Sequence, residues 1–587
     1  MAPRVVALLV TLAAAGCAEG ARETCAPAQG AGGAADSGRG DTGAPRDSDA
    51  DSAGPDNGDT GPTDTGESPP CEDLIPVEGD PLAAMGRCGR LVYAPYANRD
   101  EENAAHHVPD FSWAGFEQGG VPLPAVATTV TVSPESGDDR ERIQAAIDAV
   151  SALAPDASGY RGAVLLTAGT YKASAPIRIT VSGVVLRGEG QGEDGTTILA
   201  TAAEAYTLIE VAGGDAPAPV AGTETDIVTP YVPVGAVEFE VDDASAFSPG
   251  DRVAVRRTPN DAWIRAVGMD DYGWDADDYD IAHERTIVGV SGDVVTIDIP
   301  LVDAMETDYG GGRLERLDAG ARIDHVGIED LRLDSDYDGD TDEDHAWTAI
   351  QLSGVEDSWV RRVTALHFAR AAVSVTDASR FVTVEDAAML DPISEIDGGR
   401  RYPFEVDSGF GVLFERLYAR NGRHNFSTGS RVTGPHVWLD CLAEEGHADD
   451  GPHHRWATGL LFDNVRTNEL RVQNRADSGS GHGWSGAQVM FWNDDVTDTF
   501  VSDAPPAAMN WVVGVTGDEG DGQWAPEEPP GIQESLGSPV APRSLYLQQL
   551  ADRLGADAVV QVTTEAQRDG RIWDALSDWA GAGPPPW

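Results

Sequence analysis

The sequence predicts an all-β fold in which short strands stack into a coil, with one helix at the start of the coil and a small antiparallel β insertion. Three observations predict it. A four-residue unit, apolar–polar–polar–apolar, recurs along residues 328–465. Short strand-like runs broken by glycine fill residues 162–200. A single amphipathic stretch, from Ser136 to Leu153, precedes them.

The repeat is read as Ile328-Glu-Asp-Leu331, Val360-Arg-Arg-Val363, Val384-Glu-Asp-Ala387, Phe414-Glu-Arg-Leu417, Leu439-Asp-Cys-Leu442 and Phe462-Asp-Asn-Val465, at intervals of 32, 24, 30, 25 and 23 residues. One such unit cannot bury its apolar face alone, so neighbours must stack, and extra residues leave as loops. Parallel strands repeat at about 4.8 Å, so six rungs make a wall tens of ångströms long, suited to a chain-like ligand. The helix is predicted from Ile143, Ala146, Ile147, Val150 and Leu153, with Ser136 and Asp138 as caps. Residues 231–302 alternate apolar and polar positions between turn residues, which predicts the antiparallel insertion. Inside it, Trp263, Tyr272, Trp274 and Tyr279 either flank a cleft or pack the insertion against the coil.

The remaining segments follow from composition. Residues 1–17 have an arginine, an apolar run too short to span a bilayer, and Ala14-Ala15-Gly16-Cys17, as in an export signal. Small residues before Cys17 resemble a bacterial lipobox, although Ala14 stands where leucine is usual. Lipidation at Cys17 is therefore expected, with an exported protein anchored at the outer membrane, or secreted if lipid is absent. Residues 18–70 are rich in Gly, Ala, Asp, Ser, Thr and Pro and read as a disordered tether. Residues 71–135 read as an extended segment laid on the coil, 136–230 as the helix and first rungs, 303–515 as the main rungs, and 516–587 as a covering tail with a helix in 542–555. Cys71 and Cys88 enclose a short loop and could pair, whereas Cys441 reads as a buried thiol.

The 587 residues carry 99 acids and 40 bases, a net charge of −59. That excludes nucleic acid as a partner, because phosphate would be repelled. Lys172 is the one lysine, so a lysine catalyst elsewhere is excluded. Residues 420–484 differ, with seven arginines against eight acids, and they hold six of the twelve histidines: His424, His436, His447, His453, His454 and His482. A near-neutral, histidine-rich stretch in a very acidic chain is where a site for an anionic or polar sugar chain belongs.

The run GDD…IQAAID…GAVLLTAGTY…IRI…SGVVLRGEG…TTI, over 136–198, resembles the opening of pectate-lyase-superfamily proteins. The resemblance implies a single-stranded right-handed parallel β-helix capped by the helix, and a polysaccharide lyase, with polysaccharide as partner. Cutting a uronate chain by β-elimination needs the carboxylate neutralised, a base for the adjacent proton, and an acid for the leaving oxygen. Arginine or a bound cation suits the first role and histidine the other two. Arg455 and His482 are the leading catalytic candidates, followed by His453, His424 and Asn425; the resemblance also allows Arg455 to be the base. Trp456, Trp484, Arg475, Arg423, His345 and Trp347 are candidates for substrate binding.

Asp334, Asp336 and Asp338 before Gly339, with Asp340, copy the first half of a calcium loop, but His345 stands where its closing glutamate belongs. A bound Ca²⁺ is thus a candidate cofactor through Asp334, Asp336, Asp338 and Asp340. His447, Asp449 and His453 offer zinc ligand types without a zinc spacing. Two other functions stay open: a polygalacturonase-like glycoside hydrolase using Asp449, Asp450 and Asp463, and a non-catalytic surface adhesin. A monomer is expected.

Overall fold

A computed structural model describes residues 73–377 and 379–587. The export signal, Cys17, the tether and Cys71 lie outside the described residues; Cys88 is disulfide-bonded. Among the described residues no helix is long and apolar enough to cross a membrane.

The body is a coil of parallel strands. From Val355 onward the chain visits three walls in turn. A strand on the first wall (Ser379–Glu385) leads to one on the second (Ala388–Leu390) and one on the third (Phe404–Val406), and the next circuit repeats the order with Leu413–Glu415, Tyr418–Arg420 and Phe426–Ser430. Each pairs in parallel with its counterpart one level away: Phe414 with Val384, Tyr418 with Ala388, Phe426 with Phe404. The interior is a continuous apolar core from Ile143 to Val515.

The repeated unit makes the corner between the first two walls. Its third residue takes a left-handed backbone at Asp330, Arg362, Asp386, Arg416 and Asn464, with φ between 51° and 58°. Left-handed geometry is costly for a residue with a Cβ, so the corner recurs only because the flanking apolar pair is locked into the core. One unit is shifted from the reading above. Trp438, not Leu439, pairs with Phe414 and Phe462, and Asp440 holds the left-handed corner. The reason is stacking: the Trp438 ring lies 5.6 Å from Phe414 and 4.7 Å from Phe462, almost parallel to the latter. Such pairs contribute about 0.5–1.5 kcal/mol beyond area burial.

The helix runs Arg140–Ser151 and buries Ile143, Ala146, Ile147 and Val150 in the core at the first rungs. Asp139, rather than Ser136 or Asp138, occupies its cap position, and its side chain makes no cap bond. An antiparallel sheet of six strands, from Thr225–Ile227 to Gly312–Arg316, branches off before the coil resumes. The tail helix Leu545–Leu554 starts at Ser544, whose Oγ accepts the Leu547 N–H at 3.1 Å. It buries Leu545, Leu547 and Leu550 with Leu413, Val437, Leu439 and Leu461 of the first wall. A later helix, Trp573–Trp579, packs Leu576 on Leu366, Tyr418 and Leu442 of the second. The third wall is built from seven strands, from Ile177–Ile179 to Gly451–His454.

Candidate functional site

On the third wall, a column of side chains stands where each strand begins. The Arg370 N–H bonds the Trp347 carbonyl and the Tyr402 N–H bonds the Arg370 carbonyl, both at 2.7 Å, so Trp347, Arg370 and Tyr402 occupy successive levels. Tyr402 then meets His424, ring to ring, at 5.0 Å. The chain returns with His453 and His454 on the last strand, then Arg475 and His482.

These residues form one cluster. The His453 ring lies 4.6 Å from His424, 5.3 Å from His454 and 5.3 Å from His482, and the last two are 4.9 Å apart. Hydrogen-bond polarity assigns two tautomers. His424 Nδ1 lies against the Asp449 carbonyl oxygen, which can only accept, so Nδ1 carries the proton and Nε2 holds a lone pair. His453 Nδ1 faces the Arg475 guanidinium at 3.1 Å, which can only donate, so the His453 proton is on Nε2. That proton points at the Tyr402 hydroxyl oxygen, 3.4 Å away, and Arg423 donates to the same oxygen at 3.1 Å. With two donors arriving, the phenol's own O–H is free to be given to a ligand.

Burial makes all four imidazoles weak bases. It lowers His424 to about 4, and Arg423 and Arg475 add to the effect. Burial with Arg475 and Arg455 lowers His482 to about 4, and burial with His482 and Arg455 lowers His454 to about 3. His453 is driven further down, by burial, His424 and Arg475. All are therefore neutral at pH 7. Burial works to raise the Asp449 carboxyl, but His424, Arg475 and Arg471 outweigh it and hold it below its ordinary value. Burial also raises Tyr402, which keeps the phenol protonated. Among the described residues, His424 Nε2, His454 Nδ1, His482 Nδ1 and Arg475 Nε are buried and without a hydrogen-bond partner. A buried polar atom without a partner costs about 1–3 kcal/mol, which a bound polar ligand can recover.

The remaining candidates are distributed as follows. Arg455 borders the cluster and donates to Ser480 O and Oγ, both at 2.7 Å. Arg475 also stacks on Trp524 of the tail, 4.5 Å from the ring. Asn425 is fully buried; its amide bonds Asp450 at 3.4 Å, and Asp450 in turn accepts from Thr467 at 2.7 Å, so Asn425 belongs to a turn network rather than to the imidazole group. Trp456 and Trp484 are 1% exposed. Their indoles donate to Asp303 at 3.1 Å and to the Val267 carbonyl at 2.8 Å, and both pack with Trp263, Trp274 and Tyr279 beneath the insertion. These aromatics join the insertion to the coil and offer no face to a ligand. His436, buried, accepts the Val412 N–H at 3.2 Å, while His447 bonds Asn421 at 2.6 Å.

His345 is 1% exposed and pinned by Ser335 Oγ at 2.9 Å and the Ile393 carbonyl at 3.0 Å, so it anchors the acidic loop instead of reaching a substrate. Trp347 stays half-buried in the open column. In the loop itself Asp334 pairs with His367 at 2.7 Å, while Asp336, Asp338 and Asp340 are exposed. Among the described residues no three His, Cys, Asp or Glu side chains converge as a metal-binding group, so this donor set does not fit calcium. The hydrolase trio is also divided. Asp449 sits by the imidazoles, Asp450 in the turn network, and Asp463 under the tail, bonding Ser544 Oγ at 2.7 Å and the Tyr546 N–H at 2.9 Å.

Tyr402 and Arg370 were not singled out in the sequence. Their signal is register: Tyr402 stands two residues before Phe404, and His424 two before Phe426, its partner.

No protein-family description matches this sequence, and no curated protein matches it. Solved structures similar to it include a tailspike of Acinetobacter baumannii bacteriophage AP22 in complex with A. baumannii capsular saccharide, at 11% identity and TM-score 0.40 over 68% of this chain and 63% of that one. A polygalacturonase from Erwinia carotovora aligns at 10% identity and TM-score 0.33 over 72% of this chain and 96% of that one. The Streptococcus pneumoniae surface adhesin PfbA aligns at 11% identity and TM-score 0.30, over 70% and 81%. At these scores the likeness bears on neither ligand nor reaction.

Proposed function

We propose that the protein is an exported polysaccharide lyase that cleaves a uronate-containing glycan by β-elimination along the third wall. One observation carries the reading: neutral imidazoles, a protonated phenol and three arginines converge at one wall of a chain whose net charge is −59. Arg423 and Arg455, with Arg475 behind them, neutralise the uronate carboxylate and acidify the proton on the adjacent carbon. His482, half-exposed and neutral, takes that proton. The C–H electrons form the new carbon–carbon double bond as the glycosidic C–O bond breaks. Tyr402 gives its hydroxyl proton to the leaving oxygen, and the resulting phenolate is held by Arg423 and by the His453 N–H. Asp449 is a positioning residue, acting through His424 and Arg475. No step is assigned to calcium.

The test is incubation of the full chain with a panel of anionic polysaccharides. Rising ultraviolet absorbance of unsaturated uronate is expected. New reducing ends without that absorbance support a hydrolase, and binding without either product supports an adhesin; each overturns the lyase.

A further inference from the structure

The third wall carries a second feature, spread over the levels of Ala346–Ser353, Ala371–Thr376 and Phe404–Val406 that precede the imidazoles. A cavity of about 460 Å³ opens there, bordered by Trp347, Thr348, Gln351, Arg370, Asp377 and Asp407. Strands repeat at about 4.8 Å, so Trp347 lies roughly 14–19 Å along the coil from His424 and His453, and Asp407 roughly 5–10 Å. Backbone bonds place Trp347, Arg370 and Tyr402 on successive levels, so Trp347 and the imidazole end lie along one row of strand starts.

The two ends differ in charge. The imidazole end has Arg423, Arg455 and Arg475 against Asp449. At the cavity end the one arginine is already engaged: Arg370 pairs with the buried Glu405 at 2.7 Å, and Ser374 Oγ donates to the same carboxylate at 2.8 Å. Asp377 and Asp407 are both exposed, and among the described residues neither is in an ion pair. Asp377 accepts from Ser353 at 2.5 Å. Among the described residues that line the cavity no unpaired arginine or lysine offsets the two carboxylates, so an anionic sugar placed here meets a like-charge contact that disfavours it. A sugar without a carboxylate would instead donate its hydroxyls to Asp377, Asp407 and Gln351, and lay its apolar face on Trp347. The Trp347 indole N–H is fixed on the Glu343 carbonyl at 2.9 Å, and Arg400 lies 5.5 Å from the ring. The ring is therefore held in place before any ligand arrives.

We infer that this cavity is a subsite for a non-anionic sugar residue, so that the substrate is a mixed polysaccharide in which uronate alternates or recurs with neutral or amino sugars, and not a homopolymer of uronic acid. The inference rests on the proposed lyase reading for the identity of the other end. It assigns Trp347, Asp377 and Asp407 to specificity and none of them to the chemistry.

The experiment has two arms. In the first, the full chain is assayed by unsaturated-uronate absorbance on polyuronate homopolymers and on heteropolysaccharides containing uronate with neutral or amino sugars. A kcat/KM at least tenfold higher on a heteropolysaccharide is expected. The exposed pair Asp377→Asn and Asp407→Asn should narrow that ratio by raising activity on the homopolymer. Equal or better cleavage of the homopolymer by the unaltered chain overturns the inference while leaving the lyase reading intact. In the second arm, calorimetric binding of defined oligosaccharides is measured whatever the outcome of the first. An oligosaccharide with a neutral sugar should bind the full chain more tightly than an oligouronate of equal length, and Trp347→Ala should weaken it tenfold or more. Binding unchanged by Trp347→Ala, or no preference, overturns the subsite even where no glycan is cut.

Discussion

The first and third walls come from one repeat, yet they end differently. On the first wall the polar corner residues are consumed by the tail. Asp463 accepts from Ser544 and the Tyr546 backbone, Asp440 pairs with Arg543 at 2.7 Å, and the helix Leu545–Leu554 covers the leucines between them. At the third wall, among the described residues, imidazole and guanidinium nitrogens of His424, His454, His482 and Arg475 stay buried without partners. A folded chain tolerates such groups poorly. Such atoms also occur on the first wall, at His436 Nε2, Gln488 Nε2 and Trp511 Nε1, so what separates the two walls is cover: the tail lies over the first, while His453, His454 and His482 stay partly exposed.

Four expected outcomes break or sharpen that contrast. The largest effect belongs to the open wall. His482→Ala and Tyr402→Phe should each lower kcat by roughly 10²–10⁴, the usual contribution of a general acid or base, with an unchanged melting temperature. Next comes the covered wall. Leu550→Ala should cost about 2–5 kcal/mol in denaturant unfolding and leave kcat unaltered, because it opens a cavity beneath the tail and touches no imidazole. A variant that moved both readouts would erase the distinction.

The third outcome concerns acid. His424 titrates at about 4 in the folded chain and near 6.5 when unfolded. Between those values the unfolded state binds the extra proton, so stability falls as pH drops from 6.5 toward 4. Relative to His424→Gln, the unaltered chain should lose on the order of 3 kcal/mol over that window, measured by unfolding at each pH. For the same reason the acid limb of kcat/KM should sit near pH 4, set by His482, and not near 6.5. The smallest effect is none: EDTA should leave the rate unchanged, since the aspartates of the 334–340 loop do not converge. A loss of activity restored by Ca²⁺ would return that loop to the mechanism.

The sequence made the coil legible because its corner unit is chemical. An apolar pair must face inward, and the two polar residues between must turn. It misread one register, at Trp438, because Trp438 and Leu439 are both apolar and only ring stacking on Phe414 and Phe462 decides between them. Histidine density between 424 and 482 was equally plain to read. Which histidines share a face was not, since His436 lies in a first-wall strand and His453 in a third-wall strand, and nothing in their local sequence tells the two walls apart. Trp456 and Trp484 illustrate the same limit: an indole that could stack on sugar is chemically the indole that here packs beneath Trp263. Tyr402 was invisible because a lone tyrosine before a strand has no signature until its neighbours one level away are known.

The most direct measurement is histidine- and tryptophan-selective NMR of the full chain during titration with an oligouronate. Binding to the open wall should shift the imidazole resonances of His453, His454 and His482 and leave the indoles of Trp492 and Trp511, on the covered wall, unmoved. Shifts confined to those indoles, or saturation with no imidazole change, would contradict it.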